Sequence, residues 1–130
     1  MYLIVHRRLV LTRMFTGATL AVHYALLLPW AAATYGRGGV LPTTRDNPFP
    51  LPASPLSMLD APALVTALVL LLALVALAYA AGFFTRSADL LLWAGAAVLF
   101  HRNQLTLNPS LPYLGLWFLA QTFSPADPPW

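Results

Sequence analysis

The uncharged apolar stretches of this chain constrain its fold more than any other sequence feature. Between Asp60 and Arg86 no residue is charged, and the core of that stretch reads LVTALVLLLALVALAYAAG, with one threonine and one tyrosine as its polar members. A helix needs about 20 apolar residues to cross the hydrocarbon core of a bilayer. We therefore predict a transmembrane helix over residues 62–82, with Asp60 as its N-cap and Pro62 in its first turn.

The composition excludes several classes of protein. Hydrophobic residues make up 59% of the 130 residues and charged residues only 8%, whereas a soluble domain has about 25% charged residues. This disfavours a soluble enzyme and a disordered tail, and scattered arginines form no basic stripe for nucleic acid. The chain contains no cysteine, which excludes disulfides, thiolate nucleophiles and cysteine-ligated metals.

Three further segments complete the predicted membrane domain. Residues 14–34 lie between two arginines and contain no charged side chain, so they form the first transmembrane helix. Residues 88–104 and 111–124 have shorter apolar runs, and we predict that they form a helical hairpin with a polar turn. The region 36–59 is rich in proline and glycine and reads as an extended loop outside the membrane. The sequence thus predicts an all-α, four-helix polytopic membrane protein with one domain over residues 1–130.

The arginines suggest an orientation. Arg7, Arg8 and Arg13 precede the first helix and Arg86 lies in the turn after the second, whereas the opposite side has three arginines. The positive-inside rule then favours a topology with both termini in the cytoplasm, in a bacterial inner membrane. The three N-terminal arginines, the apolar run and the segment WAAAT also resemble a secretory signal peptide, but we expect this segment to be retained as the first membrane helix.

The order of these features resembles the first four helices of the HTTM family, the bacterial relatives of vitamin K-dependent gamma-carboxylase, and also the DoxX-type four-helix membrane proteins. The resemblance runs from about Arg13 to the end of the chain. Its most specific parts are the GxxTR pattern at Gly82–Arg86 and the segment RNQLTLNPS over residues 102–110.

The carboxylase activity of these relatives is not expected to carry over. The resemblance implies a histidine near the start of the fourth helix and a later lysine as base, but the matching stretch reads LNPSL over residues 107–111 and the chain contains no lysine. The acidic residue that many HTTM members have after the asparagine is also missing. Deprotonation of a quinol needs a strong base, so we predict no carboxylation.

A polar group at the end of the third segment is the first candidate site. Charged groups inside a membrane segment are costly and usually face protein, water or a ligand. This group would bind a quinone head group or a lipid phosphate through its arginine, or it is a turn wetted by solvent. Its members are His101, Arg102, Asn103, Gln104 and Asn108.

His23 is the second candidate. From the entry points of their helices, His23 lies about 15 Å deep and His101 about 20 Å deep, given a rise of about 1.5 Å per residue. Two imidazoles at this level would bracket a haem iron, although His23 bonding to a neighbouring helix is the alternative, and we expect a quinone or lipid rather than haem.

Small residues recur at helical spacing and predict close helix contacts, either within the bundle or with a partner subunit. They are Gly17, Ala21, Ala25, Ala78, Gly82 and Gly95–Ala97. With no catalytic motif apparent, the sequence predicts a non-catalytic accessory subunit of a larger redox or energy-converting membrane complex. A DoxX-like quinone module and a haem-binding cytochrome are the alternatives.

Overall fold

A computed structural model describes residues 2–39, 61–102 and 110–123, with side chains for residues 9–39, 61–101 and 113–123. Every regular element in these ranges is helical, which confirms the predicted all-α class. The Pro-rich stretch over residues 40–60 lies outside the described residues. The helices are α1 (Tyr2–Leu27), α2 (Ala31–Tyr35), α3 (Pro62–Ala80), α4 (Thr85–Arg102) and α5 (Ser110–Thr122).

The first predicted membrane segment is divided by a proline. Pro29 has no N–H to donate to the preceding turn, and the chain tightens into a 3₁₀ turn over Leu28–Trp30 before α2 continues it. α1 also begins earlier than the predicted segment, at Tyr2. Arg13 therefore marks the end of the uncharged stretch but not the start of α1, because a helix can extend past the hydrocarbon core.

The start of α3 corrects one prediction. Pro62 occupies the first helical turn as expected, since its missing N–H is one that a helix start leaves without a partner anyway. The N-cap residue, however, is Ala61, which has extended backbone and makes no side-chain capping bond. The predicted N-cap role of Asp60 is therefore wrong.

A tight turn joins α3 to α4. The Phe83 N–H donates to the Ala78 carbonyl at 2.9 Å and the Gly82 N–H donates to the Tyr79 carbonyl at 3.0 Å, which is the Schellman pattern. Gly82 has a φ of 86° and Phe84 a φ of 50°. This left-handed backbone folds α4 back against α3, so the two helices run antiparallel.

Small residues bring α1 and α3 together. A Cβ atom placed on Gly17 would lie 2.8 Å from both the Cβ and the backbone N of Ala80, and 2.9 Å from the Ala76 carbonyl oxygen. Only glycine therefore fits at this crossing. Ala21, one turn further along α1, is buried as well, whereas Ala25 is exposed. The predicted stripe thus serves a contact within the chain along part of its length.

The other helices pack around α3. Leu72 on α3 fills the space left by Gly95 on α4, and Phe118 on α5 packs edge-on against Tyr79 on α3, with ring centroids 5.7 Å apart. Phe118, Leu72, Leu92 and Val69 are the largest fully buried side chains. The core is therefore centred on one face of α3.

Two helical stretches among the described residues are long and apolar enough to cross a membrane, by length and composition. They are Leu9–Tyr35, with a mean hydropathy of 1.2, and Pro62–Ala80, with a mean hydropathy of 2.7. The two remaining long helices, α4 and α5, have 18 and 13 residues. The presence of four spans stays a prediction.

Candidate functional site

Two charged side chains are buried in the bundle. Arg13 on α1 is 8% exposed and Asp89 on α4 is 3% exposed. Both lie at the end of the bundle where the turn joins α3 to α4. A single uncompensated charge costs about 2.5–3.5 kcal/mol within a membrane segment on insertion scales, so charges buried this deeply are expected to have compensating partners.

Tyr79 on α3 is the side chain that joins these groups. Its hydroxyl makes hydrogen bonds with the Asp89 carboxylate, to which it donates, and with the indole N–H of Trp117 on α5, from which it accepts. Arg13 is close enough to interact electrostatically with the same phenol. We call Arg13, Tyr79, Asp89 and Trp117 the polar cluster. Each of the four long helices contributes one of its members.

The polar cluster is electrically balanced, and three of its four members are buried. One guanidinium and one carboxylate offset each other, and the phenol and the indole add neutral hydrogen-bonding groups. Among the described residues, the Nε atom of Arg13 and the Oδ1 atom of Asp89 make no hydrogen bond, although other polar interactions involve both side chains. The arrangement therefore retains one buried donor atom and one buried acceptor atom.

Sequence reasoning missed this cluster. The charge pattern places Arg13 outside the first helix and predicts no role for Asp89. Asp89 instead lies in the second turn of α4 and faces the bundle. The available signal was its sequence position: Asp89 comes four residues after the start of the helix, too far in to be an N-cap.

A second feature is a cleft at the opposite end of the bundle. His23 and Tyr24 line it from α1, Tyr35 from α2 and Phe100 from α4. The His23 ring lies edge-on to the Tyr24 ring, with centroids 5.4 Å apart. His23 is exposed, while Tyr24 and Tyr35 are buried. The cleft thus combines one imidazole and two phenols with apolar walls.

The predicted site residues are only partly within the described region. His101 lies in the last turn of α4 and is half-buried, next in sequence to Phe100, which lines the cleft. His23 lies on α1 across the cleft from that turn, so both histidines are at the same end of the bundle. His101 is not among the residues that line the cleft. The backbone of Arg102 ends α4, and Asn103, Gln104 and Asn108 lie outside the described residues.

No metal-binding group is found within the described ranges. No set of three or more histidine, aspartate or glutamate side chains comes together there. The haem hypothesis depends on His23 and His101 alone, and it stays a prediction.

Comparison of the chain with protein-family models, with curated proteins and with solved structures finds no match. The resemblance to the HTTM and DoxX-type proteins, which depends on the short patterns at Gly82–Arg86 and residues 102–110, stays a prediction.

Proposed function

We propose that this chain is a membrane-embedded helical subunit that packs against a larger membrane complex and carries out no catalysis itself. The outward surface of α3 is the observation that carries this proposal. Only 33% of its most apolar window is buried inside the bundle. Large leucines cover the remaining faces: Leu64, Leu70, Leu71, Leu74 and Leu77. A helix that is apolar all round needs lipid or another protein on those faces.

The threonine side chains support a lipid setting. Thr19 on α1 and Thr66 on α3 each donate a hydrogen bond to the carbonyl four residues earlier, at 2.8 and 2.9 Å. Thr122 on α5 does the same at 2.9 Å. These hydroxyls are satisfied within their own helices, as an environment without water requires. A soluble helix has no need for this on its exposed side.

The proposal includes four membrane spans. At about 1.5 Å per residue, α4 is about 27 Å long and α5 about 20 Å, against a hydrocarbon core of about 30 Å. α4 approaches the full thickness, and a short α5 is accommodated by local thinning of the bilayer. Arg13 and Arg86 lie at the same end of the bundle, which favours that end facing the cytoplasm of a bacterial inner membrane.

The decisive experiment is purification of the tagged chain from its native membranes in mild detergent, with mass spectrometry of the proteins that accompany it. The expected result is a fixed set of integral membrane subunits in constant ratio. Recovery of the chain alone, with no crosslinked neighbour in intact membranes, would contradict the accessory role. Alkaline carbonate extraction tests embedding separately, since an embedded protein stays in the pellet.

The cleft favours a second candidate function, a quinone-interacting redox module. A quinone ring presents carbonyl acceptors on an apolar frame, and the cleft offers an imidazole and phenols on apolar walls. The test is quenching of the intrinsic tryptophan fluorescence by a short-chain quinone in reconstituted vesicles. His23→Ala, which removes the imidazole that lines the cleft, should weaken quenching, and Thr19→Ala serves as the control. Equal quenching in all variants would exclude this candidate.

A further inference from the structure

We propose that Arg13 and Asp89 form a charge pair that fixes how the α4–α5 hairpin docks on the α1–α3 pair. The hairpin keeps this position when both charges are present or when both are removed, but not when only one of them is removed. The inference rests on the proposed membrane setting, because an unbalanced charge is costly only where water is excluded.

The fold consists of two antiparallel pairs of helices. α1 packs mainly with α3, and α4 packs mainly with α5. The turn over residues 81–84 connects the pairs directly, so it limits their separation only at one end. Arg13 belongs to the first pair and Asp89 to the second, and Tyr79 contacts or interacts with both. The charge pair therefore spans the boundary between the two halves of the bundle.

Tyr79 adds hydrogen bonds to Asp89 and Trp117 across the same boundary, and the described contacts beyond the polar cluster are apolar. Leu72 packs against Gly95, and Tyr79 packs against Phe118. In lipid, apolar side chains gain little by leaving the acyl chains for each other, so an apolar contact opposes a shift along the helix axis through its shape alone. Directional polar contacts do not tolerate it, which is the best-attested use of buried polar groups. The polar cluster therefore selects one docked position.

Arg13 and Asp89 are the two charged members of the polar cluster, and their charges are opposite in sign. Both side chains are more than nine-tenths buried, and the other two members of the polar cluster, Tyr79 and Trp117, are neutral. Arg86 lies on the same helix as Asp89 and is exposed, so its charge is screened more strongly than that of a buried group. Removal of one member of the pair therefore leaves the polar cluster with a net charge, whereas removal of both leaves the polar cluster neutral.

The experiment measures the distance between the two halves of the bundle in the full chain. Cysteines introduced at Leu77 on α3 and Leu91 on α4, both exposed, are spin-labelled; the sequence has no other cysteine to react. The protein is reconstituted in vesicles of phosphatidylcholine and phosphatidylglycerol, and double electron–electron resonance gives the distance distribution. The parent should show one narrow distribution.

Three variants and one control decide the proposal. Arg13→Gln and Asp89→Asn, each alone, should broaden or shift the distribution, and the double variant should recover the narrow one. Arg37→Gln removes the same charge from an exposed arginine at the other end of the bundle and should change nothing. Unchanged single variants, or a double variant as broad as the single variants or broader, would overturn the proposal.

Membrane accumulation provides a second readout. If a single variant is degraded before purification, the double variant should accumulate to a higher level than that single variant. Lower accumulation of the double variant would contradict the charge pairing. Carbonate extraction of the parent distinguishes the two proposals: a parent that is extracted contradicts the membrane role itself, whatever the charge variants do.

Discussion

Tyr79 and Asp89 belong to different helices and are hydrogen-bonded across the turn that joins them. Tyr79 lies in the last turn of α3, and Asp89 lies in the second turn of α4. The left-handed backbone at Gly82 and Phe84 reverses the chain between them. A local turn thus places a phenol against a carboxylate and closes one end of the bundle.

Tyr79→Phe should lower the free energy of unfolding by about 1–3 kcal/mol, because it removes the hydroxyl that donates to a buried carboxylate and accepts from an indole N–H. The phenylalanine ring keeps the edge-on contact with Phe118, so packing is largely unchanged. Thermal unfolding in mild detergent, followed by circular dichroism, measures the loss.

The matched control for this change is Tyr113→Phe on α5. Tyr113 is 75% exposed, so removal of its hydroxyl should alter stability by no more than about 0.5 kcal/mol. Equal effects of the two substitutions would show that the hydrogen bonds of Tyr79 contribute nothing specific.

The turn itself stores strain that a substitution can relieve. Phe84 has a φ of 50° and is 82% exposed, and a non-glycine residue in this region costs about 1–3 kcal/mol. Phe84→Asn should raise stability by about 1 kcal/mol, since asparagine tolerates this backbone. Phe83→Asn is the control: Phe83 is also exposed but has no positive φ, so a gain there would contradict the explanation.

The charge pattern predicts the helices better than it predicts the polar cluster. The uncharged stretch up to Arg86 predicts α3 well, and the polar turn after His101 predicts the separation of α4 from α5. A prediction that uses charges as markers of helix ends misplaces Arg13 and Asp89, since both lie inside helices. Their burial depends on tertiary packing of all four long helices, which no local pattern in the sequence reports. The site predicted at Asn103 and Asn108 lies outside the described residues.

Gly17 and Gly115 offer a comparison of two helical glycines. A Cβ atom on Gly17 would meet backbone atoms of Ala76 and Ala80, which cannot move aside. Gly17→Ala should therefore lower stability by about 1–3 kcal/mol, the usual cost of overpacking. On Gly115 the same atom would lie 3.6 Å from Trp93 Cδ1, an ordinary contact, so Gly115→Ala should gain up to about 1 kcal/mol in helix propensity.

Gly95 should give an intermediate result. The added methyl group would meet the ends of the Leu72 side chain rather than backbone, and a side chain can shift. Thermal unfolding of the three alanine variants, under identical detergent conditions, should rank Gly17→Ala as the least stable and Gly115→Ala as the most stable. The reverse order would mean that α1 and α3 do not cross at Gly17.

An arginine substitution in the middle of α3 tests whether this helix is surrounded by lipid or by water. Leu71 is 51% exposed and lies midway along Pro62–Ala80. If lipid surrounds that face, Leu71→Arg should cost about 2.5–3.5 kcal/mol of insertion free energy, and the fraction of the chain resistant to carbonate extraction should fall. At a water-exposed surface the same change would alter stability by no more than about 0.5 kcal/mol.

Leu64→Arg provides the matched control for this prediction. Leu64 is similarly exposed, at 50%, but it lies in the first turn of α3. There a long arginine side chain can extend to the headgroups while its methylenes stay in the apolar region. The fraction of the Leu64→Arg variant that resists carbonate extraction should therefore stay close to that of the parent. Equal and small effects of the two arginines would contradict a lipid-facing α3 and, with it, the membrane-embedded role proposed for the chain.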